Sequence, residues 1–190
     1  ITSRLNIYDG FPYPYGFGVA PGGSLVPDLT EPLKLIGILH QELGLQLLDV
    51  TIGNPYVNPH VNRPADAQPY PLPESPLVGL GRMFQCIKAV QQTYPKLTVM
   101  GSGLSYPRQF AGQLAAAAVE QDWFRIAGFG RMAFAYPNFA KDLLGSGLDP
   151  KQCCITCGKC SQLMRLGSMA GCIVRDSVYT QLYREATAKA

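Results

Sequence analysis

Long apolar runs are missing from this chain. None reaches the roughly 18 residues that a membrane-spanning helix needs, and no segment has the pattern of a signal peptide. Strong charge of either sign is missing too. The net charge is +3, too small to argue for nucleic acid or an anionic membrane as a partner. Cysteine is scarce over most of the chain, because five of the six lie between positions 153 and 172. A disulfide framework in a secreted protein would spread its cysteines along the sequence. Clustering instead points to a metal or iron–sulfur centre in a reducing compartment, which implies a cytoplasmic location. The sequence opens Ile-Thr-Ser without a Met, and the expectation is a fragment, a processed product or a trimmed chain.

What is present describes an ordinary globular protein. With 190 residues, 47% of them hydrophobic and 15% charged, the chain is long enough for one domain with a sizeable core. The stretch 96–131 organises it: strand, glycine turn, helix, strand, glycine turn. Leu97 to Met100 form a short apolar run that meets Gly101-Ser102-Gly103 at once. A helix is expected next, with Ser105 as its cap and Pro107 in its first turn. Phe110, Ala111, Leu114, Ala115, Ala118 and Val119 recur at helical spacing. A second strand over 124–127 then runs into Gly128-Phe129-Gly130-Arg131. Glycine turns expose backbone N–H groups, and an arginine fork matches phosphate oxygens. Tight turns that hold no ligand would use the same glycines.

The remaining elements alternate in the same way. A strand is expected over 3–8, with Arg4 and Asn6 on one face. A Gly-, Pro- and Tyr-rich loop follows over 9–27. A helix over 30–43, capped by Asp28 or Thr30 and ended by Gly44, would bury Leu33, Ile36, Leu39 and Leu43. His40 inside it reads as structural. The strand 47–52 enters Gly53-Asn54-Pro55, and a second long loop over 56–76 carries Tyr56, His60 and Arg63, read as solvated. Met83, Ile87, Val90 and Tyr94 mark a helix, with Cys86 as a small buried apolar residue. A short helix is expected over 140–144, followed by the cysteine segment and a polar helical tail. The order βαβαβαβα, with strands near 5, 49, 98 and 126, implies a parallel sheet with helical crossovers. Four such units make half of a (β/α)8 TIM barrel over 1–148, with a Cys-rich cluster-binding segment and tail over 149–190. Four strands cannot close alone, so an upstream N-terminal half-barrel or a second copy is expected.

The Arg4-to-Asn6 strand, the Met100-Gly-Ser-Gly turn, Gly-Phe-Gly-Arg131 with Ala135-Tyr136-Pro137 beyond it, and the closing cysteine run together resemble the old yellow enzyme family. Within it the chain resembles the 2,4-dienoyl-CoA reductase and trimethylamine dehydrogenase branch of NADH:flavin oxidoreductases. The resemblance covers essentially the whole chain but only the C-terminal half of that family's FMN-binding barrel. It implies that Arg4 reaches the N1/C2-oxygen edge of the flavin, where positive charge favours hydride acceptance. It implies that Gly101, Ser102 and Gly103, with Gly128, Gly130 and Arg131, hold the FMN phosphate at barrel positions 7 and 8. The parent activity would be hydride transfer from NAD(P)H through flavin N5 to an activated alkene.

Cys154, Cys157, Cys160 and Cys172 follow a Cys-x2-Cys-x2-Cys-x11-Cys pattern, which the resemblance implies holds a [4Fe–4S] cluster. Four thiolates equally suit structural zinc. The family's second gap is usually one residue longer, Cys153 offers another ligand choice, and no GxGxxG unit follows. The catalytic residues are not identifiable, because the family's proton donor and substrate-anchoring histidines come from the earlier half of the barrel. Two rival readings stand beside this one. A phosphate-binding aldolase or isomerase barrel would need a catalytic Lys or Glu at a strand end, and none is evident. A metal-stapled fragment would bind no cofactor and act only structurally.

Overall fold

The computed structural model describes residues 1–22, 25–66 and 70–189. The two expected loops include 23–24 and 67–69, and the tail reaches 190; those positions lie outside the described residues. The strands are β1 (Thr2–Asn6), β2 (Leu47–Thr51), β3 (Thr98–Gly101) and β4 (Ile126–Ala127). They form one parallel sheet in the order β1-β2-β3-β4. Each strand therefore sits beside its predecessor in sequence, the winding of a barrel wall. The α/β arrangement is consistent with half of a (β/α)8 barrel.

One register line crosses the sheet through Arg4, Asp49, Met100 and Ile126, and the next passes through Leu5, Val50, Gly101 and Ala127. Because side chains alternate along a strand, these two lines face opposite sides. Leu48, Val50, Ile52, Leu97 and Val99 are buried on one face against helices α1 (Thr30–Gly37), α3 (Pro76–Thr93) and α4 (Ala111–Glu120). From α3 come Leu80, Met83, Phe84, Ile87 and Val90, which repeat at the three- and four-residue spacing of one helix face. The opposite face carries Arg4, Asn6, Asp49, Thr51, Met100 and Ser102 around an open cleft. Apolar residues thus fix the outer layer and leave the polar inner face to a site. Gln91, itself buried, accepts from Val99 N (3.2 Å) and donates to Leu97 O (3.0 Å), locking α3 onto β3.

The first helix departs from expectation. After Gly37 it widens into a π-turn over Ile38–Glu42, and Gly44 ends it at φ 73°. The wider turn shifts the helical phase, so Leu43 lies 60% exposed and Leu45 is buried instead. His40 Nδ1 stands 2.7 Å from Leu45 O and supports this turn, as its structural reading expects. The loop after β1 is held by Asp9, which takes N–H groups of Phe17 (2.8 Å) and Asn6 (2.6 Å) on its carboxylate. The second long loop contains a short helix, α2 (Pro59–Asn62).

The helix after β3 also starts later than expected. Arg108 has φ 56°, a left-handed conformation that a right-handed helix cannot include. A 3₁₀ turn over Arg108–Phe110 therefore precedes α4, and Phe110 is left 63% exposed. Ser105 does not cap this helix; it is used elsewhere, as described below. Beyond β4 come α5 (Arg131–Ala135), α6 (Phe139–Leu144), α7 (Lys159–Arg165) and α8 (Ser177–Ala188). A small second core of Met132, Tyr136 and Cys153 joins the cysteine segment to the end of the sheet unit. Among the described residues no helix is long and apolar enough to cross a membrane.

Candidate functional site

The C-terminal ends of all four strands open into one cleft of about 620 Å³. Polar residues reach it because β1 and β2 place alternate positions on the inner face. Arg4 and Asn6 come from β1, and Asp49 and Thr51 from β2. The turns after β3 and β4 supply Ser102, Gly103, Gly128, Gly130 and Arg131. Six of the seven residues expected to hold a cofactor thus line one space. The seventh, Gly101, is buried within β3, where a Cβ would stand 2.2 Å from the ring of Phe124. Its glycine admits that ring.

Three strands are joined across the inner face by side chains. Arg4 Nε pairs with Asp49 Oδ2 at 3.5 Å, while Ser102 Oγ donates to Asp49 Oδ1 at 2.9 Å. The arginine is 65% exposed and the aspartate 26%, so the pair contributes little stability in water. It instead leaves the guanidinium at the mouth of the cleft. Deeper, the amide oxygen of Asn6 is buried and has no partner among the described residues. An unsatisfied acceptor is costly away from water, and this oxygen is shielded from the cleft as well as from solvent.

The two glycine turns are tied to each other. Gly128 N donates to Gly101 O at 2.8 Å. Buried Ser105 accepts the N–H of Met132 at 3.0 Å, which fixes the turn after β4 to the turn after β3. Gly130 precedes α5, and a Cβ built there meets nothing within 4 Å. The space beside that turn is therefore open to a ligand atom. Arg131 donates to Pro64 O at 3.4 Å and has no carboxylate partner among the described residues. Arg63 also lines the cleft. Burial, then the neighbouring Arg131 and Arg165, pulls its pKa below the ordinary arginine value.

Cys154, Cys157, Cys160 and Cys172, with Cys153, line a second, small cavity that reaches Arg131 and Phe134. Between the first and third of these thiols the backbone turns sharply, with Thr156 at φ 54° and Gly158 at φ 73°. The Thr156 N–H points at Cys154 Sγ, 3.4 Å away, and the buried Thr156 hydroxyl has no partner among the described residues. Burial raises the pKa of Cys154. Cys153 is fully buried in the second core and donates to Asp149 O at 3.3 Å, so packing accounts for it. Among the described residues no three side chains of His, Cys, Asp or Glu stand close enough to hold a metal ion. The four thiols line the same small cavity without standing close enough to share an ion.

No family model matches the chain, and no curated protein or solved structure matches it. The site must be read from its own residues.

Of the loop residues weighed from sequence, Arg63 enters the cleft, Tyr56 is exposed, and His60 packs edge-on against Tyr70. Burial lowers the pKa of His60. Asn6, Asp49 and Ser105 were not candidates. The alternation that puts Asn6 on the Arg4 face was a usable signal for the first. The roles of Asp49 and Ser105 depend on partners 53 and 27 residues away, and no local pattern carries those.

Proposed function

We propose that this chain supplies the phosphate-holding half of an FMN-dependent NAD(P)H oxidoreductase of the ene-reductase type, as its resemblance to the old yellow enzyme family implies. The observation that carries the reading is the single cleft at the C-terminal strand ends. It gathers Arg4, two linked glycine turns and Arg131. That end of a β/α sheet is where such folds place ligands. FMN, when bound, would supply hydride transfer between a nicotinamide nucleotide and an activated alkene. The residues of this chain would orient and charge-match it. The Gly101-to-Gly103 and Gly128-to-Arg131 turns would take the phosphate on N–H groups and a guanidinium. Arg4 would place positive charge at the cleft mouth. The lining of the cleft has neither Lys nor Glu, which disfavours an aldolase or isomerase that needs one there.

Cys154, Cys157, Cys160 and Cys172 would have to draw together from their present positions to supply the four thiolates of a [4Fe–4S] cluster or a structural zinc. The Thr156 N–H, directed at a sulfur, would stabilise a thiolate. The outer sides of β1 and β4 have no strand partner among the described residues. A second half-barrel, upstream on the same polypeptide or from another copy, would cover them.

The test compares FMN with riboflavin in fluorescence titrations of the purified chain, with iron and zinc analysis on the same sample. Preferential binding of FMN, weakened by about tenfold or more in Arg131→Ala, supports the phosphate cradle. No flavin binding, or equal binding of the two flavins, overturns it.

A further inference from the structure

A groove of about 480 Å³ lies between α2 and α7, on the far side of Arg63 and Arg131 from the cleft. Four cationic side chains line it: Arg63, Arg131, Lys159 and Arg165; no carboxylate does. Each guanidinium spends a donor on a neutral acceptor. Arg63 donates to Ser161 Oγ and to Asn62 Oδ1 (3.2 Å), Arg131 to Pro64 O (3.4 Å), and Arg165 to Pro55 O (2.9 Å). Lys159 Nζ sits 5.7 Å from the centre of the Tyr183 ring. The ion pairs among the described residues all use other arginines: Arg4, Arg82, Arg108 and Arg125.

Arg63 and Arg131 are half-buried while Lys159 and Arg165 are exposed at the rim, and no carboxylate lines the groove to offset the four positive charges. Burial is the main reason that the pKa of Arg63 is lowered, with Arg131 and Arg165 adding to it and Cys160 opposing it. The bonds to neutral acceptors hold the forks in place but leave their charge unbalanced. Held, planar, unneutralised forks are the arrangement that takes several phosphoryl oxygens at once.

We propose that the groove between α2 and α7 is an anion site for a phosphate or diphosphate group of a small molecule, sharing Arg63 and Arg131 with the cleft and adding Lys159 and Arg165 of its own. The site does not require the cleft to hold flavin. Arg63 and Arg131 border both spaces, so an anion in the groove lies next to the cleft mouth. The volume accommodates a diphosphate with part of the group it is attached to.

Calorimetric titration of the chain with inorganic phosphate, inorganic pyrophosphate and ADP tests this. Pyrophosphate is expected to bind more tightly than phosphate. Tighter binding of ADP than of pyrophosphate assigns the site to a nucleotide, and equal binding assigns it to the bare phosphoryl group; either supports the proposal. Arg165 lines the groove and not the cleft. Arg165→Gln should therefore weaken pyrophosphate about tenfold or more while FMN affinity stays unchanged. Arg165→Lys, which keeps the charge without the fork, should fall between, and it serves if the Gln variant melts. Unchanged pyrophosphate affinity in both variants overturns the proposal. So does an effect that sodium chloride reproduces at equal ionic strength, or the absence of binding. Failure of FMN to bind would overturn the flavin reading and leave this one standing.

Discussion

Removing the hydroxyl of Ser105 should loosen the junction between the two glycine turns. The Ser105 oxygen accepts the Met132 N–H at 3.0 Å, and the residue is 4% exposed. Ser105→Ala deletes one oxygen and opens no large cavity, so the cost is that of a stranded buried N–H, about 1–3 kcal/mol. In a chain of this length each kcal/mol moves the melting temperature by roughly 2–4 °C, and the expected fall is roughly 2–12 °C. Urea unfolding should show a lower midpoint with an unchanged slope. Amide exchange at Met132 should quicken, by about tenfold for each 1.4 kcal/mol lost. Ser102→Ala is the comparison. Its hydroxyl donates to a partly exposed Asp49, where water takes over the bond, and about 0.5 kcal/mol is expected. A Ser105→Ala loss no larger than that, with Met132 exchange unchanged, would refute the idea that this one bond ties the turns.

Two glycines of the site should respond oppositely to a methyl group. In Gly101→Ala the Cβ would lie 2.2 Å from the fully buried Phe124 ring, costing about 1–3 kcal/mol or more in thermal unfolding. Gly130→Ala meets nothing within 4 Å at an ordinary φ of −95°. It should leave stability within about 0.5 kcal/mol yet weaken FMN, because it fills the open space beside the turn. Burial pushes the Cys86 thiol up to about 11, so at pH 8 about one molecule in a thousand carries the thiolate, and iodoacetamide should spare Cys86 while, in the metal-free protein, it modifies exposed Cys157. The folded thiol holds its proton more tightly than the unfolded one. Its contribution is therefore full below about pH 9 and is lost as pH rises to about 11. Urea midpoints of Cys86→Ala should lack that part of the alkaline decline.

Strand existence was legible because each strand combines an apolar core face with a glycine exit: Leu48 and Val50 before Gly53, Leu97 and Val99 before Gly101. The α3 face was equally plain, since Met83, Ile87 and Val90 all touch one sheet. Helix boundaries were less so. The π-turn that expels Leu43 and the left-handed Arg108 that delays α4 are set by the packing around them, which residue spacing does not encode. Within the site, the glycines and Arg131 announced themselves by composition. The Asp49 and Ser105 links did not, for a serine or aspartate is ordinary until its distant partner is known.

The order β1-β2-β3-β4 also governs how the chain can assemble. β2, β3 and β4 each find a sheet neighbour immediately upstream, so during synthesis each of these units can dock on one already made. No strand waits for a later one to be threaded between existing neighbours, and the loops to be closed stay short compared with the whole chain. β4, two residues long, is followed at once by the turn bearing Arg131. The Arg131 turn therefore takes its place in the cleft only once β4 has paired with β3.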